Sequence, residues 1–280
     1  MNSEYKLLDH GYLKVINSWG SDAQIIESAR MSTSKGFLGW GPKPCPGCSG
    51  RSLVNGQLFQ GDGCAKCKNG LVEGDEKLLK YLYDNKHSTP FEFAGLTIEV
   101  QAPIFVFREW HRHRTQGYNE MSARYTPLPD LNYMPSIDRL LVGSDGKNKQ
   151  AGTVANAEPL TRTDAESYQL LLKANYEASE RFYQQALKSG VPKELARIHL
   201  PVGRYSRMRA TANLRNWLGF LTLRMAPQAQ YEIRVYAEAI GDVILSLFPR
   251  TYNLFSDSNH RRKKGAARPL RGRKRHLVRG

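Results

Sequence analysis

Alternation of apolar and polar residues marks β-structure in the first half of this 280-residue chain. Residues 96–101 read Leu-Thr-Ile-Glu-Val-Gln, which is the period-two pattern of a strand that is buried on one face. A shorter apolar pattern around Leu13 and Val15 predicts another strand. Pro103 follows the first of these strands and fits the first turn of a helix that ends near His111, because its missing N–H costs nothing there.

Helical spacing of apolar residues dominates the second half. Its clearest example follows Asp164, a candidate N-cap, and ends at Gly190, which suits the position after a helix. Pro192 allows a further helix to begin near Lys193. The other helices predicted from the same periodicity cover residues 23–31 (with Asp22 as the cap), 76–83, 211–223 and 228–248. We therefore predict an α+β fold with a helix-rich second half, and a surface loop at residues 141–163.

Residues 36–74 differ in composition from the rest of the chain. Ten of these 39 residues are glycine, and the segment contains all four cysteines of the protein, as two Cys-x-x-Cys pairs. Four thiolates in this spacing predict a closed tetrahedral zinc site, with disulfide or redox use as the alternative. The predicted ligands are Cys45, Cys48, Cys64 and Cys67. We interpret the segment as an inserted, zinc-ribbon-like module, which either stabilises a glycine-rich insertion or binds a partner.

The net charge of +15 is concentrated at the C-terminus. Residues 260–280 contain ten Lys or Arg and no Asp or Glu, so we predict a disordered basic tail after a main domain at residues 1–259. Such a tail either keeps the protein soluble or attaches it non-specifically to nucleic acid. No apolar run is long enough to span a membrane and no signal-peptide core is present, which predicts a cytoplasmic protein.

Polar and charged side chains crowd into residues 110–125. Arg112, His113 and Arg114 are followed by seven residues and then Ser122, with Glu120 and Arg124 nearby. Guanidinium groups donate in pairs to phosphate oxygens, and a histidine can stack on a cofactor ring. This stretch therefore predicts a binding site for a phosphorylated ligand with a ring system.

The motif resembles the signature of the flavin-dependent thymidylate synthases, which is Arg-His-Arg, seven residues and Ser. Further segments match this family in the same order, over roughly residues 5–35 and 75–255. They are His87–Glu92, Gln101–Val106, Ala196–Pro201, Asn213–Arg215, Leu223–Arg224 and Ala229–Glu232.

The resemblance implies an α/β core that assembles as a homotetramer, with active sites between subunits. It also implies reductive methylation of dUMP to dTMP, in which methylenetetrahydrofolate supplies the carbon, FAD the hydride and NADPH the reducing equivalents. The sequence has no Gly-x-Gly-x-x-Gly fingerprint, so the flavin must be held in another way. Two alternatives stay open: methylation or hydroxymethylation of another pyrimidine nucleotide, and a nucleic-acid-binding protein on a synthase scaffold.

Site residues are carried over position by position. Arg224 matches the arginine that favours ionisation of the pyrimidine ring, and is the predicted catalytic residue. The predicted FAD-binding residues are Thr89, Arg112, His113, Arg114, Glu120, Asn213, Leu214, Arg215 and Gly219. The predicted dUMP-binding residues are Glu109, Arg112, Glu120, Met121, Ser122, Ala123, Arg124, Arg197 and Arg224.

Some positions also allow a structural interpretation, and some depart from the family pattern. Arg197 could pair with Glu194, and we interpret His87 and His199 as structural histidines. Glu109 stands where the family usually has Gln, and a carboxylate near a phosphate is repulsive unless it is paired or protonated. The other departures are Gly117 for serine, Gly219 for asparagine and Gln228 for histidine. They leave the identity of the nucleotide open.

Overall fold

A five-stranded antiparallel sheet forms the centre of the fold. The computed structural model describes residues 4–44, 71–142 and 158–266, without side chains for Pro44 and residues 260–266. The strands of this sheet are β1 (Glu4–Leu7), β2 (Gly11–Trp19), β5 (Gly95–Pro103), β6 (Gly117–Glu120) and β7 (Tyr205–Asn213), in the spatial order β1-β2-β5-β7-β6. Two short strands, β3 (Lys43–Pro44) and β4 (Leu71–Val72), form a separate hairpin.

Nine α-helices accompany the sheet in the described residues. They are α1 (Asp22–Arg30), α2 (Glu76–Asp84), α3 (Ile104–Trp110), α4 (Ile137–Leu141), α5 (Arg162–Lys188), α6 (Lys193–Ala196), α7 (Leu214–Arg224), α8 (Tyr231–Leu247) and α9 (Pro249–Ala266). Short 3₁₀ helices occupy Met31–Thr33 and Thr89–Glu92. The α+β class and the helix-rich second half are confirmed. Within the described part of the chain, no helix is both long and apolar enough to cross a membrane.

One face of the sheet is buried and the other is polar. Ile98 of β5 and Ala210 of β7 pair with each other and belong to the core, where Trp217 of α7 and Ile240 of α8 are fully buried. On the opposite face, the register of β5 and β7 places Glu99 beside Arg209. The alternation predicted for residues 96–101 is therefore confirmed, and it decides which face of the sheet carries α7 and α8.

Strand β7 corrects the predicted helix at 211–223. Residues Tyr205–Asn213 form a central strand, and helix begins only at Leu214. Burial alternates along the strand, with Met208 and Ala210 buried and Arg207 and Arg209 exposed. A period-two signal was thus present, but small alanines make it weak beside the strong helical periodicity that follows.

Two predicted helix caps are also corrected. Ser21, and not Asp22, caps α1 by accepting a hydrogen bond from the Gln24 N–H. Thr161 caps α5, and Asp164 is the third helical residue of a capping box. Pro103 likewise lies at the N-cap of α3, as the last residue of β5, instead of inside the helix.

Asp22 has a different role from the predicted one. It is buried, and its carboxylate accepts hydrogen bonds from the backbone N–H groups of Arg250 (2.9 Å) and Thr251 (3.2 Å) and from the Thr251 hydroxyl (2.6 Å). These are unpaired donors at the start of α9. Asp22 therefore joins the first helix to the last one.

Helix α5 has an apolar surface that the described residues leave uncovered. Its apolar residues lie at the predicted helical spacing, but Leu170 and Leu171 are each 71% exposed and Phe182 is 62% exposed. Ala165 and Tyr183 are its buried residues. The capping box defines the start of the helix. Gly190, with a φ of +79°, follows its end, as predicted.

The base of the predicted insertion is tied to the core. The carboxylate of Asp75, which is fully buried, accepts hydrogen bonds from the Leu38 N–H (2.7 Å) and Gly39 N–H (3.2 Å) and pairs with Arg30. The β3–β4 hairpin pairs Pro44 with Leu71, which brings together the two ends of segment 45–70. Cys45, Cys48, Cys64 and Cys67 lie outside the described residues, as do residues 267–280.

The boundary predicted at residue 260 falls inside a helix. Helix α9 begins at Pro249, and its backbone continues to Ala266. The first seven residues of the predicted disordered tail are therefore helical. Nucleic-acid attachment through the tail stays a prediction.

Candidate functional site

The Arg-His-Arg motif lies in the turn between α3 and β6. Its backbone is held by side chains on both sides: the buried Trp110 indole donates to Gln116 Oε1 at 3.1 Å, and the Tyr118 hydroxyl donates to the His113 carbonyl at 2.7 Å. Asn216 of α7 donates to the Thr115 carbonyl at 3.1 Å. Arg112 and Arg114 are exposed in this turn. The motif is thus a fixed turn that presents two guanidinium groups outward.

His113 points in the opposite direction and meets Arg224. The Arg224 Nε–H donates to His113 Nε2 at 2.9 Å, and the ring of His113 packs on Phe220 with 4.7 Å between centroids. Arg224 also donates through Nη1 to Glu109 Oε2 at 2.7 Å and through Nη2 to the Glu109 carbonyl at 2.8 Å. The last residue of α7 is therefore bound to the end of α3 and to the motif.

This cluster is half-buried, and its electrostatics follow from that. Burial, with the nearby Arg224 charge, lowers the pKa of His113 to about 4, so the imidazole is neutral at pH 7. A neutral ring whose Nε2 accepts from Arg224 carries its proton on Nδ1. Burial raises the pKa of Glu109, while Arg224 opposes that shift and Glu232 adds to it. The predicted repulsion between Glu109 and a phosphate applies to an unpaired carboxylate, whereas Glu109 is paired here.

The start of α7 gathers several of the predicted flavin-binding residues. Asn213 caps the helix by accepting from the Asn216 N–H at 3.0 Å, and Arg215 pairs with Glu92 at 2.8 Å. Glu92 ends the 3₁₀ helix that begins at Thr89. A cavity of about 320 Å³ opens beside them, and Arg215 and His87 are among its lining residues. The chain thus brings the Thr89 and Asn213 segments to one place.

Two predicted flavin positions in α7 differ in what they can offer. The Leu214 side chain is fully buried in the core and its N–H donates to the Ala94 carbonyl, so neither of these groups is free for a ligand, and flavin contact at Leu214 stays a prediction. Gly219 is exposed, and a Cβ placed there meets no atom within 4 Å. The space beside Gly219 is therefore not filled by protein atoms.

Ser122 and Arg124, two of the predicted dUMP-binding residues, lie in a turn beside α6. Ser122 accepts from the Arg124 N–H at 3.3 Å, and Lys193 donates to the Tyr125 carbonyl at 2.9 Å. Glu194 pairs with Arg124 at 3.5 Å. The suggested pair of Arg197 with Glu194 is therefore not formed, and Arg197 has no ion-pair partner among the described residues.

Glu120 and Met121 line a second cavity, of about 400 Å³, on the polar face of the sheet. Arg207 and Arg209 of β7 line it too, and the Met121 N–H donates to the Arg207 carbonyl at 2.7 Å. Ala123 is buried nearby in sequence, at the turn after β6. Arg207 was missed in the sequence analysis because β7 was not predicted as a strand, although the alternation that places Arg207 and Arg209 on one face was present.

His87 and His199 have different environments in the structure. His199 Nε2 lies 2.9 Å from the Ser179 carbonyl, and Phe182 packs on its ring. It is a structural histidine, as interpreted. His87 is exposed and lines the 320 Å³ cavity. Gly117 and Gln228, two of the departures from the family pattern, are exposed as well.

Known proteins match this chain over the region that contains these residues. The profile of the family described as "Thymidylate synthase complementing protein" matches residues 14–250. A flavin-dependent thymidylate synthase of Wolbachia pipientis is 35% identical over 252 residues, which cover 90% of this chain and 76% of the relative. One from Thermosipho africanus is 33% identical, with 90% and 93% covered.

A solved structure agrees with this family in fold. The UMP/dUMP methylase PolB from Streptomyces cacaoi, bound with 5-Br UMP, has a TM-score of 0.67 and 28% identity, covering 90% of this chain and 96% of its own. Its complex with 5-Br dUMP has the same TM-score and 30% identity. With the family profile spanning the sheet, the motif and Arg224, this chain belongs to the family of the flavin-dependent thymidylate synthases.

Proposed function

We propose that this protein is a flavin-dependent thymidylate synthase that methylates dUMP to dTMP, with FAD, methylenetetrahydrofolate and NADPH. One observation carries the proposal: the Arg-His-Arg turn and Arg224, 111 residues apart in sequence from His113, meet in one half-buried cluster. The match over residues 14–250 supports it independently. Members of this family use the flavin to supply the hydride of the reductive methylation.

The residues present fit a flavin. Arg112 and Arg114 are exposed guanidinium groups that suit its pyrophosphate. Thr89, Asn213 and Arg215 border a common region, and Gly219 leaves open space beside α7. Glu120 lines the cavity of about 400 Å³ on the polar face of the sheet. These residues, with His113, would hold the cofactor.

Arg224 is the residue that we assign to the pyrimidine ring. A guanidinium has five N–H groups and stays protonated near neutrality. Three are used, by His113, the Glu109 carboxylate and the Glu109 carbonyl, so two remain, one on each Nη. A fixed cation with donors to spare stabilises negative charge that develops on a ring. Ser122, Ala123, Arg124 and Arg197 would bind the nucleotide around its phosphate.

A second substrate, UMP, is favoured by one finding. The similar structure is that of a UMP/dUMP methylase, which binds both 5-Br UMP and 5-Br dUMP. Glu109, which differs from the usual glutamine, belongs to the same cluster as Arg224. The sugar specificity of this chain is therefore a question for direct measurement.

The decisive experiment offers dUMP, UMP and dCMP together to the purified protein with methylenetetrahydrofolate, FAD and NADPH. Mass spectrometry then identifies which nucleotide gains a methyl or a hydroxymethyl group. We expect methylated dUMP. Methylated UMP alone would move the proposal to the second substrate. A protein that binds no flavin and modifies none of the three nucleotides would contradict both.

We further propose that the protein assembles as a homotetramer. The exposed apolar residues of α5 support it, together with Leu195 (53% exposed) and Ile198 (79% exposed) in and after α6. Several large apolar side chains exposed on neighbouring helices are typical of a protein interface. Sedimentation analysis measures the assembly directly, and Leu170→Glu with Leu171→Glu should dissociate it.

The four cysteines are proposed to bind a structural zinc ion. The described residues contain no other group of three or more metal-binding side chains. Pairing of Pro44 with Leu71 supports the proposal, because it brings the start and end of the cysteine segment together. Elemental analysis should find about one zinc per chain, lost in the variant with Cys45→Ser and Cys48→Ser. An iron or metal-free protein would contradict it.

A further inference from the structure

Glu109 and Arg224 form an ion pair between the ends of two helices. Arg224 is the last residue of α7, and the chain leaves the helix immediately afterwards at Met225. The hydrogen bonds of its side chain go to Glu109 and His113, outside α7, and fixing a long side chain costs rotamer entropy. Its position must therefore be set by contacts from other elements.

Those contacts all come from α3 and the motif turn, and they differ in strength. The Glu109 carbonyl and the His113 ring are neutral acceptors, since His113 is unprotonated at pH 7. The Glu109 carboxylate at 2.7 Å is the one charged partner of Arg224 among the described residues. All three bonds have the charged guanidinium as donor, but only the carboxylate also carries a charge, so Coulomb attraction strengthens that bond further. The carboxylate therefore dominates the position of Arg224.

We propose that Glu109 is a positioning residue, whose carboxylate holds the Arg224 guanidinium in the orientation that meets the pyrimidine ring. The assignment of Arg224 to the ring rests on the proposed function, but the hold of Glu109 on Arg224 does not. Burial supports this role, since 27% of the Glu109 side chain and 17% of the Arg224 side chain are exposed. Water therefore competes only weakly for the pair.

Replacing Glu109 tests position and charge separately. Glu109→Gln keeps an oxygen that accepts from Arg224 but removes the charge, whereas Glu109→Ala removes both. We expect Glu109→Ala to lower kcat/KM for the nucleotide about 10- to 100-fold, mainly through kcat, and Glu109→Gln to lower it by an intermediate factor of about three to ten. Glu4→Gln is the matched control, because it breaks a 2.9 Å pair with Lys14 at the opposite edge of the sheet.

The pH profile gives a readout that a merely structural role would not change. Arg224 from α7, His113 from the motif turn and Glu232 from α8 are the charged or titratable groups that act on Glu109. Because the pKa of Glu109 is raised, protonation of its carboxylate weakens the hold on Arg224 as pH falls. The wild-type protein should therefore have an acidic limb in kcat/KM that Glu109→Gln lacks.

The titration of His113 tests the inference without any activity. Its pKa of about 4 depends partly on the Arg224 charge held beside it. If Arg224 moves away in Glu109→Ala, the pKa of His113 should rise towards 6.5, as measured by NMR of the histidine ring; in Glu109→Gln it should stay low. A His113 pKa that stays near 4 in Glu109→Ala, or wild-type kcat/KM in that variant, would overturn the inference. If the wild type and both variants are inactive but the pKa of His113 rises in Glu109→Ala as expected, the proposed function alone is contradicted.

Discussion

Arg204 and Arg224 are two ion-paired arginines that the fold treats differently. Arg204 is 1% exposed, and its Nη1 pairs with Glu180 at 2.7 Å and Asp130 at 3.0 Å while Nη2 donates to the Leu128 carbonyl. The Glu180 contact is short, but its oxygen accepts no well-directed hydrogen bond. Arg224 has one carboxylate partner, is 17% exposed and lies among predicted site residues.

Burial, and not the ion pair or the number of unused donors, distinguishes the two residues: Arg204 Nε also has no hydrogen-bond partner among the described residues, but it is enclosed, whereas Arg224 is partly exposed. The Arg204 carbonyl accepts from the Ile104 N–H at the start of α3, so this enclosed residue fixes the element that carries Glu109. Arg224 sits at the other end of that helix, in contact with its last turn. Loss of Arg204 should therefore affect stability, whereas loss of Arg224 should affect chemistry.

Arg204→Ala should produce the largest change. Removing one partner from a buried ion pair leaves Glu180 uncompensated, which costs about 3–5 kcal/mol in the free energy of unfolding. Urea denaturation followed by circular dichroism measures it. Arg224→Ala should cost less in the same experiment, because its pair with Glu109 is more exposed than Arg204 and its partners, and equal losses in the two variants would remove the distinction.

Arg224→Ala should in turn lower kcat/KM by about 100- to 1,000-fold, the usual cost of removing a preorganised donor to developing charge. Flavin binding should change much less than turnover, because Arg224 contacts only one of the predicted flavin-binding residues, His113. Steady-state kinetics and the flavin absorbance of the purified variant provide the two measurements. Near-wild-type turnover would exclude Arg224 from the chemistry.

His113 should make the region of Arg224 sensitive to acid. Its folded pKa of about 4 lies below the ordinary value of 6.5, so the unfolded chain binds the proton first as pH falls. Stability is therefore lost between about pH 6.5 and 4. We expect this loss to be about 1–2 kcal/mol smaller in His113→Gln. Unfolding at pH 7 and pH 4.5 compares the two proteins, and parallel losses would contradict the assignment.

Asp130→Asn should have the smallest effect. The Asp130 side chain is 60% exposed, so water screens its attraction to Arg204 and the pair contributes less than about 1 kcal/mol. Denaturation of this variant beside Glu180→Gln tests the difference, since Glu180 is 15% exposed. A loss as large as that of Glu180→Gln would show that Arg204 depends on both carboxylates.

The sequence by itself determined the parts of the molecule that depend on local pattern. The period-two run at 96–101 and the helical runs at 76–83 and 228–248 agree with β5, α2 and α8, because burial of one face repeats at a fixed interval. The Arg-His-Arg motif and its order relative to Asn213 and Arg224 were enough to indicate the family, which the comparisons confirm.

Tertiary structure decided what depends on residues far apart in the chain. Glu109 meets Arg224 across 115 positions and Asp22 meets Thr251 across 229, and no local pattern encodes either contact. The same reason explains why Asp22 was predicted as the cap of α1, although its partners lie at the start of α9. An apolar or charged side chain reveals its own chemistry in the sequence, but its partner is chosen by the fold.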